Sequence, residues 1–372
     1  MNIVIQGVEI CGVIAVLAEE MRAQGHSVVT IADHNPLYTK QYDHGLSNFF
    51  DKSDQSTFRN KRNRLSKAMS RVARPLSNRL STSMRTKVCL KADLYLQVWS
   101  GWQGEYALLE QLSRRGVKIA TMFMGSEVRY YPLFKKQYGE EDWVFPQQYG
   151  ASRDEKLRRL QMHEKYADAI FSVPDQMGLA TRPYHHIQVP INADDIDFNV
   201  PGRDRPLVVH APTNRGVKGS EVIESALEQL RAEGVPFDYL PIDRIPHESL
   251  QNILSVADVL VDQVILHGPG WLGFEAMAAG CAVATRFLDS SPACFRPPVH
   301  SIDRRNIVGR LRELLTDQPR RCKLAVDGRR YVEANNSVSK VVENIIQCTL
   351  HSSASVKDYV PEVNASLPRI AH

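Results

Sequence analysis

What most restricts this chain is a repeated rhythm of short apolar strand, glycine-bearing loop, amphipathic helix and strand. It opens at once: the pattern predicts a strand over Asn2 to Gln6, a loop from Gly7 to Gly12, a helix over Val13 to Gln24 and a strand over Ser27 to Ala32. Gly25 falls where a helix ends in the left-handed conformation. The rhythm resumes with strand 93–98, helix 106–115, strand 117–123, helix 155–166 and strand 169–173. Strands alternating with helices need crossover connections, and crossovers produce a parallel sheet covered on both faces. The stretch Pro190 to Pro206, PINADDIDFNVPGRDRP, then breaks the pattern and reads as a linker. Beyond it the rhythm predicts strand 207–210, helix 220–233, strand 237–241, helix 247–257, strand 259–264, helix 271–279 and strand 282–286, then helices near 304–317, 320–334 and 338–350.

The expected fold is therefore α/β, with two Rossmann-like doubly wound domains. An N-terminal domain is expected over 1–189, the linker over 190–206, a C-terminal domain over 207–350 and a frayed tail over 351–372. A length of 372 residues suits two domains at ~150 residues each. In such sheets ligands bind beyond the carboxyl ends of the strands, so the cleft between two such ends is the expected site.

The formal charge of +4 has one address. Between Ser56 and Ala92 lie eleven Lys/Arg and no acid; without them 35 basic residues face 42 acidic ones. Apolar residues there recur at Leu65, Met69, Val72, Leu76, Leu80, Met84 and Val88, spaced for a helix that Pro75 would divide. Residues 59–91 are thus either a basic amphipathic surface for anionic membrane or a solvated helix face. Nucleic acid is not expected, because no aromatic residues interleave the charges and no binding motif is present. No apolar run nears the ~18 residues of a membrane span, and the chain opens on a strand rather than a secretory leader, so a cytoplasmic protein, at most peripheral on the inner face of a membrane, is expected. The six cysteines form neither C-x-x-C pairs nor metal-ligand spacings.

Two loops could carry chemistry. In Ala211-Pro-Thr-Asn-Arg215-Gly-Val-Lys218-Gly219-Ser220, two cations stand beside a helix start with glycines that admit backbone approach. That suits a diphosphate, although a solvated pair on a turn has the same sequence. The loop His267-Gly268-Pro269-Gly270-Trp271-Leu272-Gly273-Phe274-Glu275 is richer. Gly268, Gly270 and Gly273 match G-x-G-x-x-G, and Asp289 follows at the interval of a dinucleotide site. Yet the match comes late in its half, and Pro269 removes an amide.

Arg215…Lys218-Gly219, Ala257-Asp258-Val-Leu-Val-Asp262-Gln263 and Gly273-Phe-Glu275-Ala-Met-Ala-Ala-Gly280-Cys-Ala-Val283 occur in an order and at intervals that resemble the donor half of the retaining family 4-like glycosyltransferases (glycosyl transferases group 1). Met124-Gly125-Ser126-Glu127-Val128-Arg129 resembles the same family's G-S-D-x-R stretch. The resemblance implies a GT-B fold and transfer of a sugar from a nucleotide-diphosphate sugar to a glycan or lipid-linked acceptor, with no cofactor and no metal, in surface or secreted polysaccharide synthesis. It places the donor diphosphate on Arg215 and Lys218 and the nucleotide ribose on Glu275, the second acid of an E-x7-E pattern. The first acid is replaced by His267, with Gly268, Gly270 and Gly273 beside the donor. On the acceptor side it points to Gly12, Glu127 and Arg129. A retaining front-face reaction needs no protein nucleophile; Glu127 and His34 are the candidate bases. Two alternatives stand beside it: a dinucleotide-dependent oxidoreductase resting on the glycine triplet, and a non-catalytic nucleotide- or glycan-binding subunit resting on His267.

Overall fold

The computed structural model describes residues 1–33, 41–46, 81–102, 104–147, 150–288, 291, 295–351 and 358–359. His34, Asp289 and the basic residues from Arg59 to Arg79 lie outside the described residues. The N-terminal sheet is built on six mutually parallel strands, β1 (Asn2–Gly7), β2 (Ser27–Ala32), β3 (Leu94–Val98), β4 (Lys118–Met122), β5 (Ala169–Ser172) and β6 (Tyr184–His186), in the order β6-β5-β4-β3-β1-β2. The C-terminal sheet holds β7 (Leu207–His210), β8 (Asp238–Pro241), β9 (Val259–Val261), β10 (Ala282–Thr285) and β11 (His300–Ser301), in the order β11-β10-β9-β7-β8 and also parallel. Every residue of β3 is buried, as covering both faces requires.

Helix Val13–Ala23 shows how sequence becomes packing. Gly12, at φ 77°, starts it, and Val13, Ile14, Leu17, Ala18 and Met21 form one buried stripe against the sheet. Each fully buried aliphatic chain of this kind contributes about 1.5–3 kcal/mol. Gly7 is required by contact: a Cβ there would lie 1.6 Å from the Val98 carbonyl oxygen.

Four features depart from expectation. Helix Val338–Leu350, expected within 207–350, packs on the first sheet and on helix Val13–Ala23, burying Val341, Val342, Ile345 and Cys348 beside Ile14, Leu17 and Phe171. The chain thus crosses between domains twice. The crossings touch: Ile191 donates its amide to the Asn336 carbonyl at 2.8 Å, and the Asn336 side-chain amide donates to the Val189 carbonyl at 2.9 Å. Helix Tyr131–Tyr138 has no counterpart in the sequence pattern; it carries Phe134 into the core of the C-terminal domain beside Val217, Ile265 and Leu266. Just beyond it, Glu140 pairs with Arg286 at 2.6 Å and Arg304 at 2.7 Å, and Trp143 Nε1 donates to the Gly216 carbonyl at 3.1 Å. In the tail, β12 (Asp358–Tyr359) pairs antiparallel with β6.

The fourth departure concerns the basic segment. Residues 81–89 are helical, but the buried side chains are Ser81, Arg85 and Cys89, one position after the expected stripe of Leu80, Met84 and Val88. Arg85 donates to the Leu46 carbonyl at 3.1 Å and lies over the Trp102 ring, so this cation faces inward. No helix among the described residues is long and apolar enough to cross a membrane.

Candidate functional site

The two sheets direct their carboxyl ends at one cleft, with a volume of about 350 Å³. Ile10 and Cys11 after β1, Met124 and Gly125 after β4, and Asp175 and Gln176 after β5 form one wall. Asn214 and Lys218 after β7, and the loop from Gln263 to Glu275 after β9, form the other.

The loop after β7 is partly helical. The Asn214 side chain accepts the Val217 amide at 3.1 Å, capping a single turn, Arg215–Lys218, that ends at Gly219 with φ 79°. This turn directs Lys218 into the cleft, where Nζ donates to Asp262 Oδ1 at 2.7 Å; the other carboxylate oxygen accepts the Gly270 amide at 2.6 Å. Asp262 is 2% exposed and Lys218 14%, so the pair is shielded from solvent. Space is tight around it: a Cβ at Gly270 would lie 2.8 Å from Lys218 Nζ, and one at Gly273 2.7 Å from Pro269. Behind the pair, His210 donates through Nδ1 to the Val261 carbonyl at 2.7 Å, and its Nε2 accepts from Ser220 Oγ at 2.8 Å. Burial lowers its pKa and keeps it neutral.

Arg215 stands apart from Lys218. It is 53% exposed, does not line the cleft, and forms a two-point pair with Glu224. Glu275 does line the cleft, one turn inside helix Trp271–Ala279, and accepts a hydrogen bond from His247 Nε2 at 2.6 Å. His247 had no local signal in the sequence, because it is the fold that brings residue 247 to residue 275. Asp262 was visible as an acid at a strand end, but its partner was not.

The glycine loop differs most from expectation. The Gly268 amide donates to the Arg286 carbonyl at 2.7 Å, and the Gly270 amide is taken by Asp262. Neither is free to meet a sugar or phosphate. Trp271 and Leu272 at the helix start have amides without a partner among the described residues. His267 is also committed: Nδ1 accepts the Leu288 amide at 3.3 Å, and Nε2 faces Ser291 Oγ at 2.8 Å. Because that hydroxyl donates to the Leu288 carbonyl, the ring proton sits on Nε2. Burial pushes the His267 pKa down, consistent with this neutral tautomer.

On the opposite wall Gly12 starts its helix behind Ile10 and Cys11, outside the cleft lining. Arg129 lines the cleft and pairs with Asp175 at 3.0 Å, both nearly fully buried. Burial opposes the guanidinium charge, but Asp175 and Tyr131 outweigh it and raise the Arg129 pKa. Glu127 lies behind the wall, 2% exposed, and accepts the Met124 amide at 2.6 Å. Burial pushes its pKa up to about 7. The folded protein then holds a proton that the unfolded chain releases near pH 4.5, so the contribution of Glu127 to stability is full below pH 4.5 and is lost as pH rises to 7. Glu127→Gln is expected to remove most of that slope, gaining roughly 2 kcal/mol on wild type between pH 5 and pH 8. Urea unfolding at the two pH values measures it; parallel pH profiles would rule out a buried, protonated Glu127.

Among the described residues, no cluster of three or more His, Cys, Asp or Glu side chains is placed to hold a metal ion.

Two Rossmann-like domains whose strand ends share a cleft define the GT-B fold, and the chain has it. It is similar to a sucrose-phosphate synthase from Thermosynechococcus elongatus over 92% of this chain and 97% of that one, at 15% identity and a TM-score of 0.61. It is also similar to an alpha-glucosyltransferase solved with UDP and a 13-mer DNA containing an HMU base, over 94% of this chain and 99% of that one, at 12% identity and a TM-score of 0.56. No protein-family model and no curated protein matches the sequence.

Proposed function

We propose that the protein is a glycosyltransferase that moves a sugar from a UDP-linked donor to a glycan or lipid-linked acceptor, with retention and without a metal. The observation that carries this is the Lys218–Asp262–Gly270 cluster, which sets one cation at the first turn of a helix whose next turn presents Glu275 to the same cleft. A cation beside free helix-start amides suits a diphosphate, and a carboxylate nearby suits ribose hydroxyls. Arg215 joins the diphosphate by exchanging Glu224 for it. In the reaction the bond from the sugar C1 to the donor phosphate oxygen breaks, the acceptor oxygen bonds to C1, and the acceptor proton passes to the departing phosphate. The fixed charge of Lys218 stabilises that leaving group.

The dinucleotide alternative is disfavoured because the Gly268, Gly270 and Gly273 amides are all bonded within the protein. Thermal shift tests the choice. UDP at 100 times its Kd is expected to add about 2.7 kcal/mol of stability. Stabilisation by NAD(P) alone would defeat the proposal, and turnover of UDP-glucose or UDP-N-acetylglucosamine with added acceptor separates an enzyme from a binding subunit.

The basic stretch from Arg59 to Arg79 would bring the acceptor side to an anionic membrane. Co-sedimentation with phosphatidylserine vesicles is expected at low salt and to fade at high salt. Absence of binding at low salt would defeat this reading.

A further inference from the structure

His186 ends β6 at the cleft and is 7% exposed. Its Nδ1 lies 2.9 Å from the Ile187 carbonyl, which can only accept, so the ring proton is on Nδ1 and Nε2 carries a lone pair. Nε2 is buried and has no hydrogen-bond partner among the described residues. Burial pushes the His186 pKa down to about 4, so the lone pair persists at neutral pH. One oxygen of nearby Asp175, 4% exposed, is likewise buried without a hydrogen-bond partner among the described residues, while its other oxygen holds Arg129. Both residues line the cleft, and each holds one unused acceptor atom.

They stand opposite the loop that lacks one. The His186 ring stacks on Phe295 at 4.3 Å and 28°, and Phe295 in turn lies 3.1 Å from the Cβ position of Gly268. On that loop His267 has both nitrogens engaged by Leu288 and Ser291. Buried acceptors are expected to find donors, and a sugar brings several hydroxyls. We propose that His186 Nε2 accepts a hydrogen bond from a hydroxyl of the donor's sugar, so that one domain supplies the acceptor which residue 267 of the other does not offer. This rests on the nucleotide-sugar reading of the cleft. It makes His186 a contact for the sugar and not for the nucleotide.

His186→Phe keeps a ring on Phe295 and deletes the acceptor; His186→Gln restores an acceptor. Calorimetric titration of the full chain compares UDP, UDP-glucose and UDP-N-acetylglucosamine. For His186→Phe, UDP should bind within about twofold of wild type while the better-bound sugar nucleotide weakens about 5–30-fold, the cost of removing one hydrogen bond to a buried acceptor. An unchanged ratio of sugar-nucleotide to UDP affinity overturns the inference while leaving the UDP site intact. Failure of wild type to bind UDP overturns the parent reading instead. Should His186→Phe fail to fold, monodeoxy UDP-glucoses measured on wild type and His186→Leu, which also lacks the acceptor, decide: the hydroxyl whose removal costs wild type about tenfold should cost the variant less. Identical profiles overturn the inference.

Discussion

Lys218→Ala is expected to lower kcat/KM for the UDP-sugar by about 10²–10³-fold, the usual loss when one fixed group facing developing charge is removed from an enclosed site. Of the two cations on its loop, Lys218 is the one that the fold holds in the cleft, since Arg215 is turned to Glu224. The substitution also strands Asp262, 2% exposed, with the Gly270 amide as its remaining hydrogen-bond partner. Breaking such a pair costs on the order of 3–5 kcal/mol of stability. The two effects separate by pairing Lys218→Ala with Asp262→Asn, in which the cation survives but its tether is weakened. Asp262→Asn should retain much of its UDP affinity and lose turnover through misplacement of Lys218. Wild-type kinetics in a folded Lys218→Ala protein would remove the diphosphate from this end of the cleft.

Glu275→Ala is expected to weaken UDP binding by about 10–100-fold, the scale of one charge-assisted hydrogen bond at a buried site. His247 approaches Glu275 at 2.6 Å and fixes which way the carboxylate points. His247→Ala should therefore show a smaller loss of the same kind, about threefold to tenfold. The identity of the ligand group can be read directly. If Glu275 holds the ribose, its substitution changes affinity for UDP and leaves affinity for 2′,3′-dideoxy-UDP unchanged. Equal losses for both nucleotides would move Glu275 from the ribose to a structural role at the helix.

The alternation of strands and helices was legible because apolar runs and glycine stops are local. β1, β3, β7 and β10 fall within a residue or two of expectation for that reason. Helix Tyr131–Tyr138 and β6 were not legible: each is short, and neither carries a periodic pattern long enough to separate from a loop. Motif order pointed to Lys218 and Glu275, and both line the cleft. Which polar partner each would take was not legible, because Asp262, His247 and Glu224 are supplied by other elements. Arg215 shows this best: its spacing to Lys218 is that of a partner on one helix face, yet Glu224 on the next helix captures its side chain. Helix Val338–Leu350 was assigned to the wrong sheet because amphipathicity shows that a face is buried and not against what.

That returning helix also governs how the cleft can move. Two chain segments bind the domains together, side by side at Ile191 and Asn336, with hydrogen bonds between them. Parallel tethers of this sort act as a door hinge with two leaves: they allow rocking about the line they share and resist twisting across it. Rocking about that line would part the walls carrying His186 and Lys218 only by withdrawing Phe134 from the C-terminal core and breaking the Glu140–Arg286 pair. A cut at residue 190 would not divide the protein into its domains, since the first would be left without the helix that covers Ile14, Leu17 and Phe171. In topological terms the C-terminal domain is a long excursion of the chain, sent out after β6 and closed when helix Val338–Leu350 returns to the first sheet.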